Sequence, residues 1–353
     1  MGPRPVKSKT KILGEHGPGA HATFHLAETR SHSGIQQMMS GTGYLAQLTM
    51  RLAAGVSLLP EAQRNNHAQF FLNRQRPDGG FAGREGESDL YYTGFGLRGL
   101  ATLGELKDEP AERAAGFLKG KLTGKESIVD FLSLIYSAEL LRVLADIDIF
   151  DGIESDWRSA VIDSFLSLRR EDGGFAKGAE GHASSTYHTF LVAICLELLG
   201  SKIPDPEKIV SFLVSQQAED GGFREIRVSK RAGTNPTAAA VATLRMLDAL
   251  NGDLAENSAE FLLDMQNDEG GILANTRIPI ADMLSTFTGL VSLSDLGAAD
   301  QLDHDAILRF VKSLECETGG FIAAAWDEVQ DVEYSFYGLG TLGLLNQLRS
   351  SDS

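Results

Sequence analysis

Cysteine and long apolar runs are both scarce in this chain of 353 residues. It has two cysteines, Cys195 and Cys316, far apart in the sequence, which excludes a disulfide framework and a cysteine-rich zinc site. Both lie in apolar helical stretches, so we expect small buried side chains. No apolar run reaches the ~18 residues that span a bilayer, and the first residues lack the apolar core of a signal peptide. These features predict a reduced, cytoplasmic protein that is not transmembrane.

Positive charge is also in short supply, because 48 acidic residues face 32 basic ones and the formal net charge is −16. Nucleic acid and anionic membranes both require a basic face, so neither is expected as the main partner. Hydrophobic residues make up 42% of the chain and charged residues 23%, which is typical of a folded protein rather than a disordered one. Glycine is the residue in clear excess, with 38 copies, and its positions reveal a repeat.

A Gly-Gly-(Phe/Ile) signature recurs at a nearly constant spacing. Its second glycines, at positions 80, 174, 222, 271 and 320, are 94, 48, 49 and 49 residues apart. The first interval is twice 47, so a unit without the signature is expected near residue 127, next to the segment Gly120-Lys-Leu-Thr-Gly-Lys-Glu. The chain therefore contains six units of about 48 residues.

Each unit predicts two helices of different character. The first is amphipathic and charged, as in EKIVSFLVSQQAED, which suits an outer helix. We expect the glycine pair to supply the positive φ that ends this helix. The second is apolar nearly all round and rich in small residues, as in YSFYGLGTLGLL, which suits a closely packed inner helix. The expected N-caps of the inner helices are Asp89, Asp130, Ser184, Asn235, Asp282 and Asp331.

Six helical hairpins predict an all-α fold, an α/α toroid with two concentric rings of helices, over residues 40–347. Residues 1–39 would form an N-terminal extension and residues 348–353 a C-terminal tail. The stretch 40–59 has the character of a further inner helix. Either this stretch or the unit without the signature, at 128–145, is therefore expected to lie outside a six-helix ring. Strands are expected only as short extended pieces.

The repeat resembles that of protein prenyltransferase β subunits and of squalene and terpene cyclases. The resemblance lies in the phrase Phe-x(8,9)-Gly-Gly-Phe followed by a polar-capped inner helix, and it covers about 40–347. Glu317-Thr-Gly-Gly-Phe with Asp331-Val-Glu-Tyr-Ser-Phe-Tyr is similar to the last repeat of Rab geranylgeranyltransferase and farnesyltransferase β subunits. Glu180-Gly-His-Ala-Ser-Ser-Thr-Tyr is similar to a loop that meets the diphosphate there. The resemblance implies the toroid, whereas a fold alone does not fix the chemistry.

The resembled transferases hold a zinc ion with Asp, Cys and His, since a thiolate and an imidazole suit that metal. In one alignment register Asp282 stands at the Asp position, but Leu284 replaces Cys and Tyr334 replaces His. In the other register the three positions hold Asn235, Thr237 and Ser285. Neither register supplies a thiolate or an imidazole, so we expect no metal here and no cofactor.

The resembled class II cyclases protonate an alkene with a carboxyl of an Asp-x-Asp-Asp cluster, which burial and neighbouring carboxylates keep neutral. That string does not occur here, and its nearest approximations are Asp331-x-Glu333 and Glu87-x-Asp89. We take Asp331, Glu333 and Asp282 as the candidate catalytic carboxyls. The alternative role of Asp331 and Asp89 is to cap their helices.

A diphosphate site is implied by the resemblance in the loop from Arg224 to Arg231, which has four basic residues in eight. The resembled β subunits hold prenyl diphosphate there with an Arg and a Lys, whose charged N–H groups suit such an anion. The candidate diphosphate ligands are His182, Tyr187, Arg227, Lys230 and Arg231. The alternative is a solvated basic loop that balances local acid.

Aromatic residues of the inner helices would line a central lumen, and such a wall suits an isoprenoid chain or a carbocation. The lumen candidates are Tyr91, Tyr92, His188, Phe287, Tyr334 and Phe336. Three functions stay open at this point. The chain could be a transferase or a terpene cyclase with non-zinc chemistry, or a toroid that binds an isoprenoid or other lipid without turning it over. It could also be a scaffold for a helical-repeat, α-subunit-like partner or for a second copy of itself.

Overall fold

The computed structural model describes residues 43–121, 127–153 and 157–351. The expected N-terminal extension, the last two residues and most of the segment that follows Gly120 lie outside this part. The described helices are α1 Tyr44–Ser57, α2 Glu61–Arg74, α3 Leu90–Leu103, α4 Asp108–Lys119, α5 Ile128–Ala145, α6 Trp157–Ser167, α7 Thr186–Leu198, α8 Pro206–Gln216, α9 Thr234–Met246, α10 Gly252–Leu263, α11 Met283–Asp295, α12 His304–Ser313 and α13 Val332–Ser351. A short 3₁₀ turn, Ala299–Gln301, precedes α12.

Six inner helices form a closed ring. Helices α3, α5, α7, α9, α11 and α13 each pack against the next, and α13 packs against α3. The outer helices α2, α4, α8, α10 and α12 pack on the inner helices that follow them in the chain. Helix α6 reaches the ring through Phe165, whose side chain packs edge-on against Phe131 of α5 at 5.1 Å. The predicted α/α toroid is confirmed, and the unit without the glycine signature, α4–α5, takes part in it.

Helix α1 lies outside the ring of six. It packs across α13 and α3 instead of standing between two ring members. A Cβ atom added at Gly55 would lie 1.9 Å from the carbonyl oxygen of Gly343, so the backbones of α1 and α13 touch. Of the two segments that sequence left as candidates for exclusion from the ring, the structure therefore excludes the one that contains α1.

The glycine pairs occupy tight turns after the outer helices. Helix α8 ends at Gln216 with an extended residue at Gln217, so the expectation that the glycine pair itself ends the helix is wrong. Gly221, with φ +86°, closes the turn that follows, and a Cβ atom there would lie 2.2 Å from the carbonyl oxygen of Asn257 in α10. A Cβ atom on Gly222 would lie 2.6 Å from the ring of Phe261. The pair thus docks one unit onto the outer helix of the next.

Five of the six inner helices begin at a polar cap, and three of these caps were predicted correctly. Asp89, Asp282 and Asp331 accept backbone N–H groups three residues ahead. The other caps are Ser127, Ser185 and Gly233, not Asp130, Ser184 and Asn235. The Ser185 hydroxyl accepts the His188 N–H as the cap, whereas the Ser184 hydroxyl donates to Asp172 at 2.6 Å. Both serines form a short strand, β2 Ser184–Ser185, that pairs antiparallel with β1 Phe175–Ala176.

A threonine or serine of the inner helix fixes each signature turn to its own unit. The backbone N–H of Phe223 donates to Oγ1 of Thr237 at 2.8 Å, and that hydroxyl donates to the Gly233 carbonyl at 2.7 Å. Four other units repeat the first contact, with distances of 2.9–3.0 Å. The small polar residues of the inner helices therefore have two roles. They fix the signature turns by hydrogen bonds, and they permit close helix packing. None of the described helices combines the length and apolarity needed to cross a membrane.

Candidate functional site

A cavity of about 420 Å³ lies inside the ring and is lined by residues of every inner helix and of α1. One tier of its wall follows directly from the repeat, since each inner helix contributes its second residue. These residues are Tyr91, Val129, Tyr187, Asn235, Leu284 and Glu333. We call this tier the mouth, because it lies at the end of the ring where the signature loops lead into the inner helices.

Helix α1 forms the other end of the cavity, which we call the floor and define by Tyr44, Leu45, Leu48, Thr49 and Leu52. The Tyr44 hydroxyl donates to Asp295 of α11 at 2.8 Å, and its backbone N–H donates to Glu197 of α7 at 2.7 Å. The floor is therefore held by side chains from two ring helices.

Aromatic rings cover much of the wall between mouth and floor. The ring of Tyr337 packs against Phe95 and Phe287 with centroid distances of 5.2 and 5.3 Å. Phe336 lies against the same two rings at 5.8 and 5.6 Å. Such faces suit an unsaturated hydrocarbon chain, or a positive charge that develops on one.

Glu333 is the predicted catalytic carboxyl that lines this cavity. The Tyr91 hydroxyl donates to its Oε1 at 2.6 Å and the Tyr337 hydroxyl lies 3.4 Å away. Burial raises the pKa of Glu333 above its ordinary value, and the negative charge of Asp331 adds to this, against the opposing effect of Tyr91. A carboxyl of this kind can hold a proton at the edge of an apolar space, as a general acid must.

The other two candidate catalytic carboxyls, Asp331 and Asp282, do not line the cavity. Asp331 accepts the Tyr334 N–H at 2.9 Å and the Arg84 Nε–H at 3.1 Å. Asp282 accepts the N–H of Ser285 at 2.7 Å and its hydroxyl at 2.9 Å. Both carboxylates are occupied as helix caps, which was the alternative role for Asp331.

The predicted diphosphate ligands divide between the cavity wall and the surface. Tyr187 lines the cavity and remains 39% exposed at the mouth. The other four lie outside the wall with exposed side chains: His182, Arg227, Lys230 and Arg231. Their loop is nevertheless close to the mouth, because the Thr186 N–H donates to the Glu225 carbonyl at 2.8 Å and the Glu225 side chain lines the cavity.

Three of the six lumen candidates line the cavity, namely Tyr91, Phe287 and Phe336. Tyr92, His188 and Tyr334 do not, and the reason is helical geometry. Each directly follows a mouth residue, and one step along an α-helix turns the side chain by ~100° away from the cavity. Burial lowers the pKa of His188, whose Nδ1 lies 3.0 Å from the Ser185 hydroxyl.

Several wall residues were not foreseen. Arg98, Glu225, Tyr337 and the floor residues of α1 all line the cavity. The helical period could have identified Arg98, because Tyr91, Phe95 and Arg98 share one face of α3 at spacings of four and three. No comparable signal existed for the floor, since α1 precedes the repeat.

The residues that stand at the zinc-ligand positions of the resembled transferases do not fit that metal. Asp282 is bound to Ser285, Leu284 lines the cavity, and the Tyr334 ring lies under the Arg84 guanidinium at 6.0 Å. Among the described residues, no three His, Cys, Asp or Glu side chains converge as a metal site would require. The absence of zinc from the protein itself stays a prediction.

The prenyltransferase alpha-alpha toroid domain is the family model that matches, over residues 45–123 and 126–353. The geranylgeranyl transferase type-1 subunit beta of Arabidopsis thaliana is 26% identical over 204 residues, which are 54% of this chain and 53% of that protein. The chain spans about half to two thirds of the length of the curated relatives it matches.

The solved structures that share the fold include two that hold geranylgeranyl compounds. Candida albicans protein geranylgeranyltransferase-I, complexed with GGPP, superposes with a TM-score of 0.65 at 16% identity, covering 81% of this chain and 92% of that one. A type II terpene cyclase from Scytonema, in complex with geranylgeranyl dihydroxybenzoate, has a TM-score of 0.56 at 14% identity, covering 84% and 98%. At these identities the likeness concerns the fold alone.

Proposed function

The chain belongs to the prenyltransferase alpha-alpha toroid family, and on that premise we propose that it binds an isoprenoid in its cavity without a zinc site. The single observation on which this rests is the aromatic and aliphatic wall between mouth and floor. A cavity of about 420 Å³ falls within the roughly 300–1,000 Å³ of small-molecule sites. The two transferase and cyclase structures named above hold geranylgeranyl compounds, which favours the same class of ligand.

For an isoprenyl diphosphate, we propose that the head binds at the mouth and on the adjoining loop. Tyr187 is the ligand in the cavity wall, and Arg227, Lys230, Arg231 and His182 are the ligands outside it. The Arg and Lys side chains are exposed, so an anion in solution can approach them directly. Because the curated relatives are named as β subunits, a helical-repeat partner belongs to the same proposal.

The test is calorimetry with farnesyl diphosphate and farnesol. Charge-assisted hydrogen bonds contribute about 1.5–3 kcal/mol each, so Arg227→Ala with Lys230→Ala should weaken diphosphate binding by roughly a hundredfold or more. Farnesol should bind both proteins equally. Lys202→Ala with Lys208→Ala removes the same charge from exposed positions elsewhere and should change neither affinity. If the diphosphate binds the wild type no better than the alcohol, the loop is not its site. If neither binds, the cavity is not an isoprenoid site.

A second candidate function, proton-initiated cyclisation, is favoured by Glu333. Its carboxyl lies in the mouth, receives hydroxyl hydrogen bonds from Tyr91 and Tyr337, and has a pKa raised by burial. In such a reaction the carboxyl gives its proton to a terminal alkene, and the alkene π electrons form the new C–H bond. The cation that remains on carbon is then attacked by the next alkene, against a wall of aromatic rings, and the last cation loses a proton to water to leave a cyclic alkene. This reaction requires the terminal alkene at the mouth beside Glu333, which is the reverse of the orientation proposed above for the diphosphate.

Glu333→Gln tests this candidate, because the amide keeps the shape of the acid but has no acidic proton. If the protein converts geranylgeraniol, bound with its terminal alkene at the mouth, to a cyclic alcohol, the variant should lose roughly 10²- to 10⁴-fold in rate, as is typical of losing a general acid. Its binding of the same compound should be retained. Asp282→Asn changes a capping carboxyl outside the cavity and should keep the rate. Mass spectrometry of the products reads out the result, and equal rates for wild type and Glu333→Gln would exclude the acid role.

A further inference from the structure

Arg98 places a guanidinium group well inside the cavity. It lies seven residues after the mouth residue Tyr91 on the same helix, which corresponds to about 10 Å of depth at a rise of 1.5 Å per residue. Its guanidinium carbon is 4.1 Å from the ring centroid of Phe95, 5.3 Å from that of Phe336 and 5.8 Å from that of Tyr136. Three aromatic faces therefore hold the group in place on the wall.

The terminal N–H groups of Arg98 have no acceptor among the described residues. Its Nε donates to the Gly94 carbonyl at 2.9 Å, which uses one of five donors. No described carboxylate lies within 4.0 Å of it, and the nearby Glu333 already accepts from Tyr91 and Tyr337. The arginines on other faces of the ring differ in this respect. Arg84 is paired with Asp327 and Asp331, whereas Arg51 and Arg245 share Asp295.

An apolar ligand that fills the cavity would leave these N–H donors without hydrogen-bond acceptors. Water can satisfy them while the cavity is empty, but a hydrocarbon chain removes that water and offers no acceptor, which is unfavourable for a charged group. A carboxylate instead matches the guanidinium fork with two parallel hydrogen bonds. A single guanidinium with two glutamates in the same wall suits a group with one negative charge better than a diphosphate.

We propose that Arg98 is the anion subsite of the cavity and that it binds the carboxylate of an isoprenoid acid, with the chain directed toward the mouth. This proposal rests on the proposed function, because it assumes that the cavity holds an isoprenoid. It adds the class of isoprenoid, an acid, that the deep end of the cavity accepts. An isoprenyl diphosphate would bind in the opposite direction, with its head at the mouth. The carboxylate and the diphosphate therefore depend on different residues. Measuring both kinds of ligand on both sets of variants distinguishes the two sites.

The experiment measures the affinities of farnesoate, methyl farnesoate and farnesyl diphosphate for three proteins. These are the wild type, Arg98→Met and the Arg227→Ala, Lys230→Ala double variant. Methionine keeps an apolar side chain of similar length against the aromatic rings and removes the charge and the donors. Farnesoate should bind the wild type at least tenfold more tightly than its methyl ester. Arg98→Met should abolish that difference, whereas the double variant should preserve it. Farnesyl diphosphate should bind Arg98→Met as well as the wild type, or more tightly.

Three outcomes would overturn the subsite. Farnesoate that binds the wild type no better than the ester excludes an anion site, and this result needs no variant. A loss of farnesoate affinity in the double variant but not in Arg98→Met would place the carboxylate on the loop. An equal loss of all three ligands in Arg98→Met would give Arg98 a packing role. If the ester binds and only the preference for the acid is missing, the proposed function stands and the subsite falls. If no ligand binds the wild type, both fall.

Discussion

Gly221 and Gly200 show that glycine is required for two different reasons in this chain. Both have positive φ, +86° and +69°, a region that disfavours side chains. At Gly200 a Cβ atom would meet nothing within 4 Å, whereas at Gly221 it would meet the carbonyl oxygen of Asn257 at 2.2 Å. Gly200 is therefore needed only for backbone conformation. Gly221 is needed also because the next outer helix lies against it.

The two glycines form a matched pair for mutation. Gly200→Ala should lower the free energy of unfolding by about 1–2 kcal/mol, which is the strain of a side chain at positive φ. Gly221→Ala adds the displacement of a neighbouring helix, typically a further ~1–3 kcal/mol. Urea unfolding of both variants measures the difference. Equal losses would mean that the Gly221 turn can move away from α10 without cost.

At the scale of elements, α1 is the helix that converts an open ring into a cavity with a floor. It is held across the ring end by Asp295 of α11, a fully buried carboxylate. Asp295 accepts the Tyr44 hydroxyl and pairs with Arg51 of α1 at 3.0 Å and Arg245 of α9 at 2.5 Å. One side chain therefore joins the floor to two members of the ring.

Asp295→Ala should loosen the floor. Removing one partner of a buried ion pair leaves uncompensated charge and typically costs 3–5 kcal/mol. Because Arg51 and Tyr44 both belong to α1, we expect amide hydrogen exchange to rise most in α1, with less change in the outer helices. Asp305→Ala is the control, since this residue is 77% exposed and its pair with Arg349 should contribute little. Unchanged exchange in α1 would show that apolar contacts alone hold it.

At the scale of the whole molecule, the ring must join its last unit to its first, and it does so through a buried histidine. His67 of α2 accepts the Gly320 N–H at its Nδ1, at 3.1 Å, so its Nε2 bears the hydrogen and donates to Glu315 at 3.0 Å. Gln63 donates to the same Glu315 oxygen at 2.7 Å. The His67 ring also stacks on Phe321 at 5.0 Å. Chain ends distant in sequence thus become neighbours.

The contact between His67 and Glu315 at the ring closure predicts that the folded protein loses stability at low pH. Burial alone would raise the pKa of Glu315, but hydrogen bonds from His67, Lys312 and Gln63 outweigh it and lower the pKa to about 2. The folded state therefore binds fewer protons than the unfolded state below the ordinary glutamate pKa, and the contribution of Glu315 is lost as pH falls from there toward about 2.

Denaturant midpoints measured across this pH range test the closure. Wild type should lose stability more steeply than Glu315→Gln as pH falls. Glu317→Gln is the matched control, because Glu317 lies two residues away with an exposed side chain. It should follow the wild-type curve. A Glu315→Gln curve parallel to wild type would show that the closure does not depend on the charge of Glu315.

The sequence by itself determined the repeat, the toroid and the chemical character of the wall. The reason is that these properties are local. A glycine pair every 48 or 49 residues and an apolar inner helix in each unit leave few other ways to bury the chain. It also placed Asp89, Asp282 and Asp331 as caps, since a cap bonds to an amide three residues away.

Only the tertiary structure decided which side chains meet inside the ring. Glu333 lines the cavity and Tyr334 does not, although they are adjacent in sequence, because the rotation of each helix about its axis is set by packing against its neighbours. The spacing from Tyr91 and Phe95 could place Arg98 on the same face of α3, but only the tertiary structure brings rings from three helices against its guanidinium. The floor depended on how α1, which has no counterpart in the repeat, packs across α13 and α3. Contacts of this kind join residues far apart in the chain, and no spacing within one unit specifies them.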